Sequence, residues 1–269
     1  MSSKEQVTTT SAVYPVFRDQ LPSYSLTENR YTVRFAENQQ DLEALQRLRF
    51  EVFNVELGEG LEESFETGRD ADRFDGVTHH LVIEERQTGQ IIGTYRMQTS
   101  EMARAHEGFY SADEFKLEGM PPHVLADSVE VGRACISVDH RNRRALFLLW
   151  KGLAAYMIHN RKRYLFGCCS LTSQDPTEGR QVMEYLVANG HTLDPLGVLP
   201  KPGWECYDED TPWDPQAAVQ IPKLFRLYLR YGAKVTGLPA LDRFFRTIDY
   251  LVMLDVLELD GDLHKLYFA

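Results

Sequence analysis

The sequence predicts an α+β domain in which a mostly antiparallel sheet is flanked by helices and followed by a C-terminal extension. The order of predicted elements is strand, helix, hairpin pair, strand, helix, strand and helix, which combines local strand pairing with a strand–helix–strand crossover. From Tyr31 onward apolar residues recur densely, without a low-complexity linker or an internal repeat. We therefore expect a single domain over residues 30–269, with the extension beginning at about residue 191 and running to residue 269.

The first predicted elements follow a polar N-terminus. Residues 1–29 are rich in Ser, Thr and Gln, and we expect a flexible tail there. Asp41 is the predicted N-cap of a helix that runs to about Leu57 with apolar residues at helical spacing. A Gln-Thr-Gly-Gln turn at residues 87–90 joins the two strands of a hairpin. The predicted strands of this region are Tyr31–Phe35, His80–Glu84 and Ile91–Gln98.

The later elements alternate between apolar strands and amphipathic helices. Asn189 and Gly190 end the last helix before the extension, whose loops are rich in proline. The predicted strands are Ala126–Val138, Tyr164–Leu171 and a strand near Tyr250–Val256, and the predicted helices are Arg144–Asn160, Thr177–Ala188 and a helix near Pro222–Arg230.

Composition and charge argue against several classes of protein. The chain is 43% hydrophobic and 26% charged, as in ordinary globular proteins, and its net charge of −11 disfavours nucleic-acid binding, which usually needs a basic surface. The longest apolar stretch, Ala145–Ile158, is interrupted by Lys151, so we expect no membrane-spanning helix. Met1–Thr10 lacks the features of a secretory signal, and the four cysteines lack disulfide or zinc spacing. A cytoplasmic location is expected.

Arg49 is the first candidate functional residue. Helical spacing places it within the apolar arc of the first predicted helix. One interpretation is an arginine whose stem packs while its charge reaches water. The other is a partly buried guanidinium that needs anionic partners, because an unpaired buried charge is costly. The semi-apolar charged run Arg69–Asp75 offers such partners in Asp72 and Asp75.

Three further charged residues lie on predicted strands. Strand alternation gives Arg96 a defined face, although an ordinary exposed arginine is the alternative. Glu130 and Arg133 are three residues apart, which puts them on opposite faces of a regular strand. A β-bulge at Gly132 would bring them to one face and expose backbone N–H groups that polarise a carbonyl. The alternative is a glycine that only permits close packing.

Taken together, these side chains suit the aminolysis of a thioester. That reaction requires a base for the amine, arginines for a carboxylate and donors for the tetrahedral oxyanion. No Gly-x-Ser-x-Gly elbow is present, and Cys168 and Cys169 lie in an apolar strand that favours a core position over a nucleophile. The histidines lack metal-binding spacing, so neither a metal nor another cofactor is expected.

The order and spacing of short motifs resemble those of two related enzyme families. The motifs are R-x-x-V-F from Arg49, D-R-F-D from Asp72, G-T-Y-R ending at Arg96 and E-x-x-R from Glu130. They resemble the acyl-homoserine-lactone synthases and, more closely, the ornithine-lipid N-acyltransferases, often labelled haemolysin-like. The stretches that resemble the second family are Phe109–Phe115, Leu148–Gly152, Leu165–Ser170, Pro222–Ala233 and Asp242–Asp249, so that the resemblance covers roughly residues 31–256.

The resemblance implies a GNAT-like fold and an N-acyltransferase. The implied reaction moves a fatty acyl group, 3-hydroxylated in that family, from acyl carrier protein to the α-amino group of an amino acid. Ornithine is the first acceptor to expect, with glycine and lysine as alternatives. Glu130 is the predicted base, directly or through a water. The predicted catalytic residues are Glu130, Arg133 and Arg96, and the predicted substrate-binding residues are Arg49, Phe53, Asp72 and Asp75.

The residues at the start of the predicted helix Arg144–Asn160 indicate which molecule donates the acyl group. A CoA-dependent GNAT enzyme usually has a glycine-rich turn whose N–H groups bind pyrophosphate, whereas His140–Ala145 contains no glycine. This favours acyl carrier protein, an acidic partner, over acyl-CoA. A basic helix start without any ligand is the alternative. The predicted docking residues are Arg141, Arg143, Arg144 and Lys151, with Arg161–Arg163 beside them.

Other functions remain open from the sequence. An enzyme of signal synthesis would use S-adenosylmethionine as acceptor. Alternatives of another class are a non-catalytic membrane-active, haemolysin-like protein and a module that only binds carrier protein. The segment Lys223–Lys234 is a candidate for peripheral contact with the inner face of the cytoplasmic membrane, or else a helix that packs on the core.

Overall fold

A single twisted sheet organises the computed structural model, which describes residues 13–193 and 197–268. Its strands lie in the spatial order β1-β2-β3-β4-β5-β6-β9-β7, with β8 also paired to β9. The strands are β1 (Ser25–Glu28), β2 (Tyr31–Phe35), β3 (His79–Glu85), β4 (Gln90–Thr99), β5 (Ser128–Ile136), β6 (Tyr164–Leu171), β7 (Lys234–Val235), β8 (Ala240–Asp242) and β9 (Thr247–Asp255).

Helices cover both faces of this sheet. The first of them continues into a π-helical segment over Glu51–Glu56, which matches the predicted end near Leu57. The helices are α1 (Gln39–Phe50), α2 (Ser64–Thr67), α3 (Ser100–Ala105), α4 (Pro122–Ala126), α5 (Arg143–Asn160), α6 (Pro176–Ala188), α7 (Lys223–Arg230) and α8 (Gly261–Phe268).

The strand pairing confirms the predicted fold class. Neighbouring strands are antiparallel apart from β5 and β6, which are parallel and joined by the crossover helix α5. The extension completes the sheet, because its strand β9 pairs with the whole length of β6, from Tyr164 opposite Asp255 to Leu171 opposite Ile248. The extension is therefore part of the same hydrophobic core as the rest of the domain.

Alternate residues of β3 show which helix covers each face. Val82 packs with Leu42 and Leu45 of α1, whereas Leu81 belongs to the core under α5. Gly152 lies where α5 meets the sheet, and a Cβ there would come within 2.5 Å of the Leu81 side chain. We refer to the two sides as the α1 face and the α5 face.

The N-terminal segment differs from the expected flexible tail. Tyr14 is buried and its hydroxyl hydrogen bonds to Nδ1 of His80 at 2.9 Å, while β1 pairs with β2. The prediction is wrong for residues 13–29, because apolar and aromatic side chains such as Tyr14 are sufficient to attach this polar segment to the core. Residues 1–12 of the expected tail lie outside the described residues.

Two local predictions about helices also change. The N-cap of α1 is Asn38, whose side chain accepts from the N–H of Asp41, so Asp41 is not the cap. Instead, Asp41 accepts hydrogen bonds at 2.8 Å from Arg34 of β2. The candidate interfacial helix α7 buries Phe225 and Leu229 in the core, as the core-packing alternative predicts, while Leu224 and Leu227 are half-buried. Within the described residues, no helix combines the length and apolarity that a bilayer crossing requires.

Candidate active site

Strands β5 and β6 are paired over only part of their length. Parallel pairing extends from Ser128 to Glu130, the latter opposite Phe166, and then ends. Gly167 follows at a very close approach, since a Cβ on it would lie 2.0 Å from the carbonyl oxygen of Val131. A cavity of about 360 Å³ lies beyond this point, lined by residues of both strands. The sheet therefore has an opening between β5 and β6.

A β-bulge in β5 shapes one wall of the opening. Thr94 of β4 pairs with Cys135 and Arg96 pairs with Gly132, so Tyr95 faces both Arg133 and Ala134. Arg133 has a φ of +48°, a left-handed conformation that is uncommon for residues other than glycine. A bulge is thus present, but it lies at Arg133 and Ala134 and not at Gly132, where it was predicted, because Gly132 pairs regularly with Arg96. A Cβ on Gly132 would meet nothing within 4 Å, so close packing does not explain that glycine.

The cavity passes through the sheet and has two chemically different ends. Strand alternation places Glu130, Ser170 and Asp249 on the α1 face, where the wall is polar. The opposite end lies under α5 and α7 on the α5 face. Its wall is apolar and aromatic, and is formed by Tyr95, Trp150, Leu153, Leu165, Phe225, Tyr228, Val252 and Leu254. One end is suited to a polar substrate and the other to an aliphatic chain.

Glu130 is fixed in place at the polar end. Its carboxylate accepts hydrogen bonds from the N–H of Tyr110 at 2.7 Å, and from the N–H and hydroxyl of Ser111 at 2.8 and 2.6 Å. Burial raises the pKa of Glu130 above its usual value, and these three hydrogen bonds limit the rise because they favour the ionised form. The result is a pre-oriented carboxylate whose pKa is closer to neutrality than that of an exposed glutamate.

Arg49 has the buried anionic partners that its position in the helix requires. Its side chain is 0% exposed, with Nε at 2.8 Å from Asp70 and Nη1 at 2.9 Å from Asp75. Burial alone would raise the pKa of Asp75, but the charges of Arg49 and Arg96 and the hydrogen bonds from Arg49 and His80 hold that pKa well below its usual value. The interpretation of Arg49 as a paired, buried guanidinium is confirmed.

Arg96 and Arg133 complete a network of three arginines and three aspartates. Nη1 of Arg96 lies 2.7 and 2.6 Å from the two carboxylate oxygens of Asp72. Arg133 lies 3.3 Å from Asp72 and 3.4 Å from Asp70. Its guanidinium also lies 4.0 Å from the ring centroid of Phe245. Three positive and three negative charges balance, so the network can be buried at the cavity wall without a net charge.

The predicted site residues divide into two groups. Those on the cavity wall are Phe53, Arg96, Glu130 and Arg133. Arg49 and Asp75 are fully or almost fully buried behind that wall, and Asp72 links Arg96 to Arg133. In this structure Arg49 and Asp75 support the wall residues and do not reach the cavity. Asp70, the other partner of Arg49, was not among the predicted site residues although it belongs to the same charged run.

The predicted docking residues lie at the start of α5, and two of them are already paired. Arg141 forms an ion pair with Glu56, at 2.7 Å for its Nη2, and Arg144 pairs with Glu28. Arg143 is exposed and forms no ion pair with any residue that the structure describes, and Lys151 is half-buried. The Asn142 side chain accepts from the N–H groups of Arg144 and Ala145, which occupies donors of the first turn.

A second group of acids escaped the sequence analysis. Glu114, Cys168 and Asp249 bring ligand-capable atoms within 4.8 Å of one another. Both Cys168 and Cys169 line the cavity, and Cys169 also belongs to the hydrophobic core, the position predicted for both residues. Burial raises the pKa of Cys168 well above its usual value, which is unfavourable for a thiolate nucleophile. The residues of this group come from distant parts of the chain, so no local spacing indicated them.

Comparisons with known proteins decide the family. The acetyltransferase (GNAT) domain profile matches residues 48–151. The L-ornithine N(alpha)-acyltransferase of Brucella abortus is 32% identical over 238 residues, which cover 83% of this chain and 84% of that protein. The same-named enzyme of Rhodobacter capsulatus is 32% identical over 235 residues, covering 84% and 90%. The chain belongs to the L-ornithine N(alpha)-acyltransferase family.

A solved structure supports the same fold for this family member. FeeM, described as an N-acyl amino acid synthase from uncultured soil microbes, superimposes with a TM-score of 0.50 at 12% identity. The superposition covers 86% of this chain and 95% of FeeM. The predicted GNAT-like fold is confirmed, and membership of the family confirms the prediction of an N-acyltransferase that acts on an amino acid.

Proposed function

We propose that this N-acyltransferase moves a fatty acyl group from acyl carrier protein to the α-amino group of L-ornithine. The observation that carries the proposal is the cavity through the sheet, apolar on the α5 face and polar on the α1 face. An N-acyl amino acid has the same two parts, an aliphatic chain and a charged head. The relatives named L-ornithine N(alpha)-acyltransferase support ornithine as the acceptor.

The apolar end suits the acyl chain. Tyr95 and Tyr228 hydrogen bond through their hydroxyls, and the ring centroids of Trp150 and Tyr228 lie 5.8 Å apart in a tilted arrangement. Pairing these hydroxyls leaves ring faces toward the cavity, so the wall offers aromatic and aliphatic surface. A chain bound there has its thioester carbonyl at the opening between β5 and β6. The bulge of β5 lies beside that carbonyl, where its backbone N–H groups can stabilise an oxyanion.

The acceptor amine approaches from the α1 face. Its nitrogen attacks the thioester carbonyl, a C–N bond forms, and the C–S bond breaks to release the carrier thiol. Glu130 first takes a proton from the acceptor ammonium group, directly or through a water, so that the neutral amine can attack, and the second proton that the nitrogen loses passes to the departing thiolate. Arg133 and Arg96 line the same end of the cavity and orient the acceptor carboxylate.

Acyl carrier protein fits the start of α5 better than CoA. A pyrophosphate needs several free N–H groups at a helix N-terminus, and the Asn142 side chain already occupies two of them. Arg143 is exposed and projects a positive charge that suits an acidic carrier surface. The ion pairs of Arg141 and Arg144 reduce the size of this basic surface, so Arg143 is its main determinant in our proposal.

Release of the carrier thiol tests this function. Purified protein is incubated with 3-hydroxyacyl carrier protein and each amino acid in turn, and the product is identified by mass spectrometry. We expect thiol release that depends on ornithine, with a product carrying the acyl group on the α-nitrogen. Release without an amino acid, or none with any amino acid, would reject the proposed reaction. The matching acyl-CoA, tested in parallel, separates the two donors.

A further inference from the structure

The acids beside the cavity differ from those of the arginine network because they form no ion pair with any residue that the structure describes. Glu114 and Asp249 are 1% and 4% exposed, and Asp249 lines the cavity. The two carboxyl groups are close enough to hydrogen bond to each other, and the hydroxyls of Ser170 and Thr247 lie close enough to hydrogen bond to Asp249. Thr247 is 1% exposed on the same wall, and no cationic donor among the described residues reaches Glu114 Oε2 or Asp249 Oδ1. Buried polar atoms are normally satisfied, so this grouping requires an explanation.

We infer that the pocket formed by Glu114, Thr247 and Asp249 binds the side-chain ammonium group of a diamino acid acceptor. An ammonium group has three N–H donors and no acceptor. The carboxyl groups of Glu114 and Asp249 and the hydroxyl of Thr247 provide acceptor oxygens for such a group at the polar end of the cavity. This inference rests on the proposed function, because it assigns the second amino group of the acceptor that is acylated there.

The charge state of the pocket favours a cation. Burial raises the pKa of Glu114 well above its usual value, and the neighbouring carboxylates of Asp249 and Asp242 raise it further. Two carboxylates in one buried site cannot both ionise cheaply without a counter-ion. An ammonium group between them would allow both to ionise. Arg133 lowers the pKa of Glu114 through its charge, but its guanidinium lies beside Asp70 and Asp72 and forms no ion pair with Glu114 or Asp249.

The pocket also lies close to the proposed base. Tyr110 and Ser111, which hold Glu130, precede Glu114 in one short segment. Cys168 is close to both sites, since the carboxylates of Glu114, Asp249 and Glu130 add to the effect of burial in raising the pKa of its thiol. Asp249 reaches this place because β9 pairs with β6 in the register that sets Asp249 opposite Ser170. An α-amine at Glu130 and a side-chain amine at Asp249 therefore belong to one molecule in the cavity.

A metal ion is the competing occupant. Glu114, Cys168 and Asp249 could supply three ligands. The set contains no histidine, and burial raises the pKa of the Cys168 thiol well above its usual value, so the thiolate that a metal ion would need is unfavourable there. An ammonium group needs only acceptor oxygens, and Thr247 adds one that the metal set does not use. These points favour the ammonium group.

A pair of acceptors that differ only in the side-chain amine tests the inference. L-norvaline has the carbon skeleton of L-ornithine without the δ-amine. KM and kcat are measured for both, by carrier-thiol release, in the wild type, Asp249→Asn and Glu114→Gln, with the exposed Asp262→Asn as the matched control. We expect each pocket variant to raise KM for ornithine about 10- to 100-fold, as the loss of a charged hydrogen bond predicts, and to raise KM for norvaline much less.

Several outcomes would overturn the inference. They are wild-type kcat/KM values equal for the two acceptors, an unchanged KM for ornithine in both pocket variants, and equal losses for both acceptors. A stoichiometric metal in the purified protein that Asp249→Asn removes would also overturn it. If Asp249→Asn does not fold by circular dichroism, Glu114→Gln and the wild-type preference decide. Failure of the proposed function is distinct, since the wild type would then release no thiol with either acceptor.

Discussion

Glu130 accepts three hydrogen bonds, is buried and lies on the cavity wall. These features predict that its substitution lowers the rate of acyl transfer. Glu130→Gln keeps the size of the side chain but removes its ability to take a proton. We expect kcat to fall about 10²- to 10⁴-fold, the usual contribution of a general base, with KM for the acceptor little changed. Steady-state kinetics of thiol release measures both. A variant with wild-type kcat would contradict the assignment of Glu130 as the base.

The dependence of kcat on pH provides a second test of Glu130. A raised pKa means that Glu130 loses its ionised, basic form as pH falls, so kcat decreases on the acidic side through that pKa. Ser111→Ala removes one hydrogen bond that favours the ionised form. We expect this variant to retain activity but to move the acidic limb to higher pH. A limb that stays in place would show that another group controls it.

The arginine network predicts a large effect on stability. Arg49→Met leaves Asp70 and Asp75 buried without their main partner, and breaking a buried ion pair from one side costs about 3–5 kcal/mol. Arg47 is a matched control on the same helix, because its side chain is 58% exposed. Arg47→Met should change the free energy of unfolding by about 0.5 kcal/mol or less. Urea unfolding of both variants compares them, and equal costs would contradict the network's role.

At the scale of elements, the long strands and helices were predictable and the short ones were not. Strands β3 and β4 and helix α5 follow continuous alternation or helical periodicity over many residues, so their predicted bounds lie close to the observed ones. Strands β7 and β8 have two and three residues, too few for any pattern to register. Asn38 and Asp41 are both good capping residues. Asp41 forms an ion pair with Arg34 and Asn38 caps the helix, and only the three-dimensional structure shows these contacts.

The candidate active site likewise contains residues that local sequence patterns could group and residues that they could not. Arg96, Glu130 and Arg133 come from neighbouring strands β4 and β5, so local alternation and a bulge sufficed to group them. Glu114 and Asp249 meet through the long-range register of β6 with β9. No spacing in the sequence encodes that register, and the acids therefore went unnoticed. The basic residues at the start of α5 were recognised, but their pairing with Glu28 and Glu56 depends on segments that are distant in the chain.

Helix α5 provides a test of the apolar end of the cavity. Leu153→Trp puts a larger side chain into a wall that also includes Trp150 and Tyr228. We expect kcat/KM for long-chain acyl carrier protein to fall about tenfold or more, while a short-chain donor is little affected. The matched control is Leu266→Trp, at an exposed position of α8. Equal losses with long and short donors would contradict an acyl chain at this end.

At the scale of the whole molecule, our proposal requires an acidic chain to bind an acidic carrier protein. The net charge is −11, so long-range attraction depends on a local basic surface. Arg143→Glu should lower kcat/KM for acyl carrier protein about tenfold at low salt, with a smaller loss at high salt. Turnover of an acyl thioester of N-acetylcysteamine, which has no carrier surface, should not change. Lys265→Glu, the same charge change on exposed α8, is the control.

The central claim is that donor and acceptor meet through the opening between β5 and β6 from opposite faces of the sheet. Acyl carrier protein loaded with a chain that carries a terminal photoreactive diazirine tests this claim most directly. After irradiation, peptide mapping by mass spectrometry locates the crosslinks. We predict crosslinks on the α5 face, at Trp150, Leu153 and Tyr228. Crosslinks confined to the α1 face, at Tyr110 or Asp249, would contradict the account.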